Sequence, residues 1–318
     1  MSWKEEFFEL YSTDGKDNFS RALDMKLHNI PKKLYRYRSV TDNNLEFRKD
    51  EIVYGDLYLS HPDEFNDPFE ASSLLSGKKS SDYLNDRALY QNHFAHIPED
   101  DYHEIFDAED WYDRLLRYGA RNEKSITEEQ YCDIMDRVVM SEIEKLNEAI
   151  TDTARKMNRI ASFTTKSYNL PMWNHYANEH RGICLEYDTD DIQIIYQKNR
   201  LFPVVYMEQL PDITCKMFHK ESPQFTLFSS LAIQKLKDWS YEDEWRMVFD
   251  AGSWYFGPED VPKSYWSTGK TIRFIKPSKV ILGYAIAQEH ETAIRSMAQS
   301  VEIPVEKAKV TTRGLMFE

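Results

Sequence analysis

Apolar and polar residues alternate with a period of two at many points along the chain, which is typical of half-buried strands. The clearest example runs from Ile160 to Thr165, where Ser162 and Thr164 share one face. Similar patterns predict strands at 33–38, 183–187, 201–207, 245–249, 270–276, 280–285 and 305–310. A strand pair with its bend at Gly55-Asp56 is predicted within 51–60. These segments together predict a mixed, mostly antiparallel sheet.

Between these strands, apolar residues recur at helical spacing. This spacing predicts helices within 1–30, before Lys49, at 225–237 and at 288–300. A shorter helix should begin at Asn169-Leu170-Pro171, because proline is favoured in the first helical turn. Trp173 and Tyr176 then share one face, and Gly182 is predicted as a left-handed cap. The aromatic pair is typical of a packed core, whereas the polar residues around it favour a cleft.

The pattern at 81–158 predicts a long helical stretch that follows a small, polar linker at 71–80. We expect a single α+β domain, 1–318, with this stretch as an insertion. It carries 19 acidic and 9 basic side chains, which accounts for ten of the 14 excess negative charges of the chain. A charged helical face is usually only solvated, but the insertion could also bind a basic partner. We interpret His93, His96 and His103 as surface residues, because their spacing fits no metal site.

The composition, with 41% hydrophobic and 14% aromatic residues, is that of a folded protein with a substantial core. No segment has the length of a membrane span or the pattern of a signal peptide, so we expect a soluble, cytoplasmic protein with no membrane partner. Cys132, Cys184 and Cys215 are widely spaced and indicate buried thiols rather than a disulfide or zinc framework. The net charge of −14 argues against a broad grip on nucleic-acid backbones.

Candidate chemistry centres on Glu242-Asp243-Glu244, where alternate residues should point to the same side. Repulsion between Glu242 and Glu244 should raise the pKa of one of them, and Arg246 is the neighbouring cation. One interpretation is a carboxylate–arginine network that holds a strand. The other is a binding site with aromatic walls from Trp239, Tyr241 and Trp245, which suits a ring and a developing cation.

Four motifs carry a family resemblance: LYRYRS around Arg36, FNDPFE at 65–70, the segment 162–188, and W.YEDEWR at 239–246. In this order they resemble the bacterial domain of unknown function 2971. The chain also resembles ADP-ribosyltransferases of the Arg–Ser–Glu type in three smaller motifs, which are Arg36 or Arg38, Ser162-Phe163-Thr164, and Glu242-Asp243-Glu244. Ser162-Phe163-Thr164 departs from the Ser-Thr-Ser form of that family.

This second resemblance implies an ADP-ribosyltransferase-like fold and an enzyme that cleaves NAD, with NAD as substrate. Glu244 would stabilise the positive charge on the ribose, and Glu242 would orient an acceptor that the sequence does not identify. Arg36 or Arg38 would bind the diphosphate. The remaining predicted contacts with NAD are Asn66, Ser162, Thr164, Trp173, His175, Tyr176 and Tyr241. A role in phage defence, or as a toxin in conflict between bacteria, is loosely implied.

Two other functions stay open at this stage. Glu242, Glu244, Asp67 and His175 could hold a divalent ion in a nuclease or other hydrolase. Alternatively, the aromatic cleft could bind a ligand without turnover while the acidic insertion recruits a partner. Glu242 and Glu244 are therefore the predicted catalytic residues only under the enzyme hypotheses.

Overall fold

The computed structural model describes residues 1–13, 15–75, 97–106, 111–122, 126–193, 195–214, 224–250, 271–312 and 314–318. The described α-helices are α1 (Trp3–Ser12), α2 (Lys16–His28), α3 (Leu45–Lys49), α4 (Glu99–Phe106), α5 (Trp111–Asn122), α6 (Glu128–Met157), α7 (Leu170–Tyr176), α8 (Ile195–Arg200), α9 (Gln224–Leu231) and α10 (Gln288–Gln299). The strands are β1 (Lys33–Arg38), β2 (Asp56–Tyr58), β3 (Asn158–Thr164), β4 (Ile183–Asp188), β5 (Leu201–Pro203), β6 (Val205–Met207), β7 (Gln234–Leu236), β8 (Glu244–Asp250), β9 (Thr271–Arg273), β10 (Lys279–Leu282), β11 (Val305–Thr311) and β12 (Gly314–Phe317).

The chain divides into two compact units. The larger comprises Met1–Ala71, Ala154–Gln209 and Gln224–Glu318, and the smaller comprises Ser72–Thr153 and Leu210–Pro223. Helices α4 and α5 and most of α6 lie in the smaller unit, where Leu74 also forms a bridge with Asp212. Part of the predicted insertion, including His93 and His96, lies outside the described residues, and His103 is exposed.

An eight-stranded sheet in the order β12-β11-β10-β4-β1-β3-β8-β5 forms the centre of the larger unit. Only β10 and β11 run parallel within it, so the sheet is mixed and mostly antiparallel, as predicted. Strands β2 and β9 form a separate antiparallel pair, and β6 and β7 a parallel one. The prediction of an α+β fold is confirmed at this level.

Two apolar layers hold the sheet. On one side Leu34, Phe163, Leu185 and other buried residues form the main core. On the other side, α1 and α2 pack Phe7 and Ala22 against β5 and β8. Burial of such side chains drives these elements together, at roughly 25 cal/mol for each Å² of apolar surface removed from water. Among the described residues, no helix is both long and apolar enough to span a membrane.

The segment predicted as the first arm of a strand pair is instead a π-helical turn, Asp50–Tyr54, that continues α3. It ends at Gly55 in the left-handed region, with φ 72°. The reason for the error lies in tertiary contacts, because the helical turn buries Glu51 beside Arg48 and two arginines of β1. Apolar alternation alone could not reveal that charge cluster.

Other predicted boundaries also shift. The predicted strand 201–207 is two short strands, β5 and β6, which join different sheets. The helix predicted at 225–237 ends at Leu231, where the Gln234 side chain donates to the Ser230 carbonyl. β7 follows at once, and β12 was not predicted.

Gly182 is not the left-handed cap of α7. The turn is made by three consecutive left-handed residues, Asn178, Glu179 and His180. Gly182 is required for a different reason, since a Cβ atom there would lie 2.1 Å from the carbonyl oxygen of Arg38. The close approach of β1 and β4 at this point therefore excludes any side chain.

Candidate functional site

A cleft of about 360 Å³ opens on the larger unit, within the size range of small-molecule sites. Nine of the eleven predicted site residues line it. They are Arg36, Arg38, Asn66, Ser162, Thr164, His175, Tyr176, Glu242 and Glu244. Trp173 and Tyr241 are the two that do not.

Strand register explains why distant motifs meet. β1 lies between β4 and β3, and Tyr35 pairs with Thr164. β3 pairs with β8 so that Thr164 faces Glu244 across the ladder. Because paired residues share a face and successive strand residues alternate, Tyr35, Thr164 and Glu244 lie on one face of the sheet. Arg36 belongs to the opposite face, where its guanidinium lies 5.6 Å from the centre of the Phe163 ring.

A carboxylate cluster adjoins the cleft and consists of Glu70, Glu242, Glu244, Lys235 and Arg246. Of these, Lys235, Glu242 and Glu244 line the cleft. Arg246 donates from Nε and Nη2 to the two oxygens of Glu244, each at 2.9 Å. It also donates to Glu70, with Nη2 3.0 Å from Oε2. Lys235 Nζ lies 2.7 Å from Glu242 Oε2 and 3.6 Å from Glu244 Oε2. All five side chains are buried.

Backbone geometry places the two glutamates on one side, as predicted. A 3-10 helix ends at Glu242, Asp243 takes a left-handed conformation with φ 42°, and β8 begins at Glu244. The Asp243 carboxylate instead lies 2.9 Å from Lys4. Glu242 and Glu244 therefore share Lys235, whereas Asp243 points elsewhere.

The two glutamates differ in proton affinity. Burial and the neighbouring Glu244 raise the pKa of Glu242. Burial also acts to raise the pKa of Glu244, but Arg246 and Lys235 outweigh it and hold that pKa well below the ordinary value. The predicted separation of the two pKa values thus agrees with the geometry, with Glu242 as the better base.

An arginine cluster forms the other charged region and consists of Arg36, Arg38, Arg48 and Glu51, of which Arg36 and Arg38 line the cleft. Arg38 Nε donates to both oxygens of Glu51, at 3.2 and 3.1 Å. Arg48 Nη1 donates to Glu51 Oε2 at 2.9 Å. Arg36 Nη1 lies 3.5 Å from Glu51 Oε1, and its Nη2 donates to the Tyr58 carbonyl.

This arrangement places three cations around one anion. Burial acts to raise the pKa of Glu51, yet Arg38, Arg36 and Arg48 lower it to about 2. Burial and Arg38 lower the pKa of Arg36 to about 9. Both of the arginines predicted for diphosphate binding are among the residues that line the cleft. Arg36 is the more buried of them.

Polar groups on the wall of the cleft join its parts. The Tyr176 hydroxyl donates to Glu242 Oε1 at 2.6 Å and lies 3.2 Å from Asn66 Oδ1. The Thr164 hydroxyl donates to the Glu242 carbonyl, and Ser162 hydrogen-bonds Glu244. The hydroxyl groups of Tyr176 and Ser162 thus contact the carboxylates of Glu242 and Glu244, and that of Thr164 contacts the Glu242 backbone.

Trp173 is a core residue rather than a wall of the cleft. It is fully buried, its Nε1 donates to the Ser167 carbonyl, and its ring meets Tyr37 edge to face. Tyr241 lies beside Trp239, and Lys235 Nζ lies 4.5 Å from the Trp239 ring centre. Trp245 is buried against Trp3. Of the aromatic residues predicted as walls or as contacts with NAD, Tyr176 and His175 line the cleft.

The residues proposed for a divalent ion do not come together as a metal site. Asp67 is buried, and its Oδ1 accepts from the Phe69 amide. Among the described residues, no group of three or more His, Cys, Asp or Glu side chains is placed to hold a metal ion. Lys235 and Arg246 also occupy the positions beside Glu242 and Glu244 that a cation would need.

Four charged residues of the two clusters were not identified from the sequence: Arg48, Glu51, Glu70 and Lys235. Glu70 ends the FNDPFE motif, so that motif was the available signal. Arg48 and Glu51 are three residues apart on a helical turn, a spacing that suggests an ion pair but no site. Lys235 belongs to no motif.

Residues 172–247 match the family described as Protein of unknown function (DUF2971). This match confirms the resemblance to domain of unknown function 2971, and it includes Tyr176, Lys235, Glu242 and Glu244. No curated protein and no solved structure matches the chain significantly.

Proposed function

We propose that this protein is an NAD-consuming enzyme that breaks the nicotinamide–ribose bond and transfers ADP-ribose to an acceptor. The observation that carries the proposal is that Arg36 and Arg38 line the same cleft as Glu242 and Glu244. NAD has matching parts, an anionic diphosphate and a cationic nicotinamide ring.

The carboxylate cluster supplies the electrostatic part of the reaction. With its three carboxylates ionised, it carries one negative charge more than Lys235 and Arg246 neutralise. As the bond to nicotinamide breaks, positive charge develops on the ribose. Negative groups that are already fixed in a buried site stabilise such charge strongly.

The two glutamates take different roles in this proposal. Both oxygens of Glu244 accept from Arg246, which keeps that carboxylate ionised and fixed as an electrostatic stabiliser. Glu242 has the raised pKa and is held by Tyr176 and Lys235. It is the group suited to accept a proton from the acceptor as that acceptor attacks the ribose.

The test is the release of nicotinamide from NAD, followed by chromatography. Glu242→Gln should lower the release rate by at least about a hundredfold, the usual effect of removing a general base. Glu208→Gln is the matched control, because Glu208 is an exposed carboxylate that pairs with Lys237. It should leave the rate unchanged.

Glu244→Gln should also abolish release, but it disturbs the buried partners of Arg246 and needs circular dichroism to verify folding. Normal release by folded Glu242→Gln and Glu244→Gln proteins would refute the proposal. Wild-type protein that gains thermal stability with NAD but releases no nicotinamide would identify a binding module without turnover.

A further inference from the structure

Lys235 supplies the positive charge that lies against Glu242. Among the described residues it is the only salt-bridge partner of Glu242, with its Nζ 2.7 Å from Oε2. The same Nζ lies 3.6 Å from Glu244 Oε2. The side chain of Lys235 is 4% exposed and that of Glu242 is 3% exposed. Because water is largely excluded from the pair, the two charges affect each other more strongly than charges on a protein surface would.

Arg246 does not take the place of Lys235, because its donors are committed to other acceptors. Every N–H donor of its guanidinium is used by Glu70, Glu244 or a backbone carbonyl. Among the described residues, no hydrogen bond leads from Arg246 to Glu242. One guanidinium thus serves two buried carboxylates, and the charge of Glu242 is balanced by Lys235.

The fold holds Lys235 in a fixed position. Strand β7 pairs in parallel with β6, and Tyr206 is the partner of Lys235 in this ladder. The Tyr206 hydroxyl accepts a hydrogen bond from the backbone amide of Glu244 at 2.9 Å, so the two-stranded sheet is attached to the start of β8. Lys235 Nζ also lies 4.5 Å from the centre of the Trp239 ring, within the range of a cation–π interaction. The ammonium group is therefore in place before any ligand arrives.

The surrounding charges keep Lys235 protonated. Burial acts to lower the pKa of Lys235, but the neighbouring carboxylates outweigh burial and the charge of Arg246, and the pKa is raised. Burial and Glu244 raise the pKa of Glu242, and Lys235 opposes both. The other ionisable groups that act on this pair are Glu70, Glu244, Arg246, Tyr176, Tyr206 and Tyr241.

We propose that Lys235 is a positioning residue for Glu242: its ammonium holds the Oε2 oxygen and keeps this carboxylate in the ionised form that can accept a proton. Without this cation, the three carboxylates of the cluster would share the charge of Arg246 alone. Because Arg246 already binds Glu70 and Glu244, Glu242 is the carboxylate that would take up a proton. The inference deepens the proposed function and rests on it only for the catalytic meaning of Glu242, since protonation can be measured without turnover.

The experiment is an NMR titration of isotope-labelled glutamate carboxyl groups in the full chain. The signal of Glu242 is the one that is absent from the spectrum of Glu242→Gln. In Lys235→Met the midpoint of the Glu242 titration should lie about 1 to 3 pH units above that of the wild type, the usual effect of losing a neighbouring opposite charge. A loss of stability alone, with an unchanged midpoint, would assign Lys235 a purely structural role and overturn the proposal.

Two further variants separate charge from hydrogen bonding. Lys235→Arg keeps the positive charge and should restore most of the wild-type midpoint. Lys235→Gln keeps a donor but loses the charge, so its midpoint should rise as in Lys235→Met, and it carries the test if Lys235→Met does not fold. A rise in Lys235→Arg as large as in Lys235→Gln would attribute the effect to packing and overturn the proposal.

Lys237→Met is the matched control, because Lys237 is an exposed lysine of the same segment that pairs with Glu208. It should leave the titration of Glu242 unchanged. A midpoint that rises equally in Lys237→Met and Lys235→Met would show that the effect does not depend on contact with Glu242, and would refute the assignment.

The release of nicotinamide separates this proposal from the proposed function. A general base must be ionised to accept a proton, so the acidic side of the pH profile of release should move upwards in Lys235→Met by the same amount as the NMR midpoint. A raised midpoint without any release by the wild type would retain the role of Lys235 and reject the proposed reaction. Release by the wild type, with the midpoint and the pH profile unchanged in Lys235→Met, would do the reverse.

Discussion

The carboxylate cluster and the arginine cluster both bury several charges beside one cleft, but they differ in how completely those charges are paired. Every nitrogen of Arg246 donates to Glu70, Glu244 or the Ala232 carbonyl. The Arg36 side chain instead makes one hydrogen bond, to the Tyr58 carbonyl, and two of its nitrogens have no hydrogen-bond partner among the described residues. Two buried charge clusters beside one cleft can therefore have different roles.

Pairing is the property that separates a structural network from a ligand site. A buried network whose donors and acceptors are all used holds its strands in place and has little capacity for a ligand. A cluster with unpaired donors retains that capacity at a cost in stability. The interpretation of Glu244 and Arg246 as a strand-holding network and the interpretation of the cleft as a ligand site are thus compatible.

The largest expected effect is on stability. Arg246→Met should lower the free energy of unfolding by about 3–5 kcal/mol, because it leaves Glu70 and Glu244 buried without their cation. Arg36→Met should cost less than about 1 kcal/mol, because its charge is already poorly compensated. Urea denaturation at pH 7 measures both. Equal losses in the two variants would contradict the distinction between the clusters.

Acid titration should give the next largest effect. The pKa of Glu51 in the folded state, about 2, lies below its ordinary value of 4.5. The contribution of ionised Glu51 to the free energy of unfolding is therefore complete above pH 4.5 and is lost as the pH falls towards 2. The shift corresponds to roughly 3 kcal/mol.

Glu51→Gln should remove this part of the pH dependence. Glu242 should change the free energy of unfolding with pH in the opposite direction. Because its pKa is raised in the folded state, protonated Glu242 stabilises the fold, and this stabilisation is lost as the pH rises through that pKa. Urea denaturation of Glu51→Gln, Glu242→Gln and wild-type protein from about pH 2 to about pH 7, the interval over which these carboxylates should titrate, measures both slopes. Parallel curves for all three would refute the assignment.

Tyr176→Phe should have a smaller effect than the loss of Arg246 or of the Glu51 charge. It removes the hydroxyl that donates to Glu242, at a cost of about 1 kcal/mol in stability. Loss of that donor destabilises the ionised carboxylate, so the pKa of Glu242 should rise further. If the proposed reaction occurs, the pH profile of nicotinamide release should shift upwards. Tyr168→Phe is the control, since Tyr168 is exposed and stacks on Phe317.

Local patterns were enough to predict much of the fold. Alternation in β1, β3, β4 and β8 was sufficient because each strand has neighbours on both sides and at least one buried face. Asn169 and Pro171 marked the beginning of α7 correctly, since capping depends only on adjacent residues. The same reasoning failed for 51–54, where burial of Glu51 among arginines outweighs the strand-like apolar pattern.

The sequence by itself determined which residue types could form the candidate site, and nine of eleven predicted residues line the cleft. It could not determine that Trp173 is core, because an aromatic residue at helical spacing suits either environment. Only the tertiary structure decided that Lys235 lies between Glu242 and Glu244, and that three arginines surround Glu51. The physical reason is that pairing and burial of charge arise from contacts between segments far apart in the chain, whereas patterns record only near neighbours.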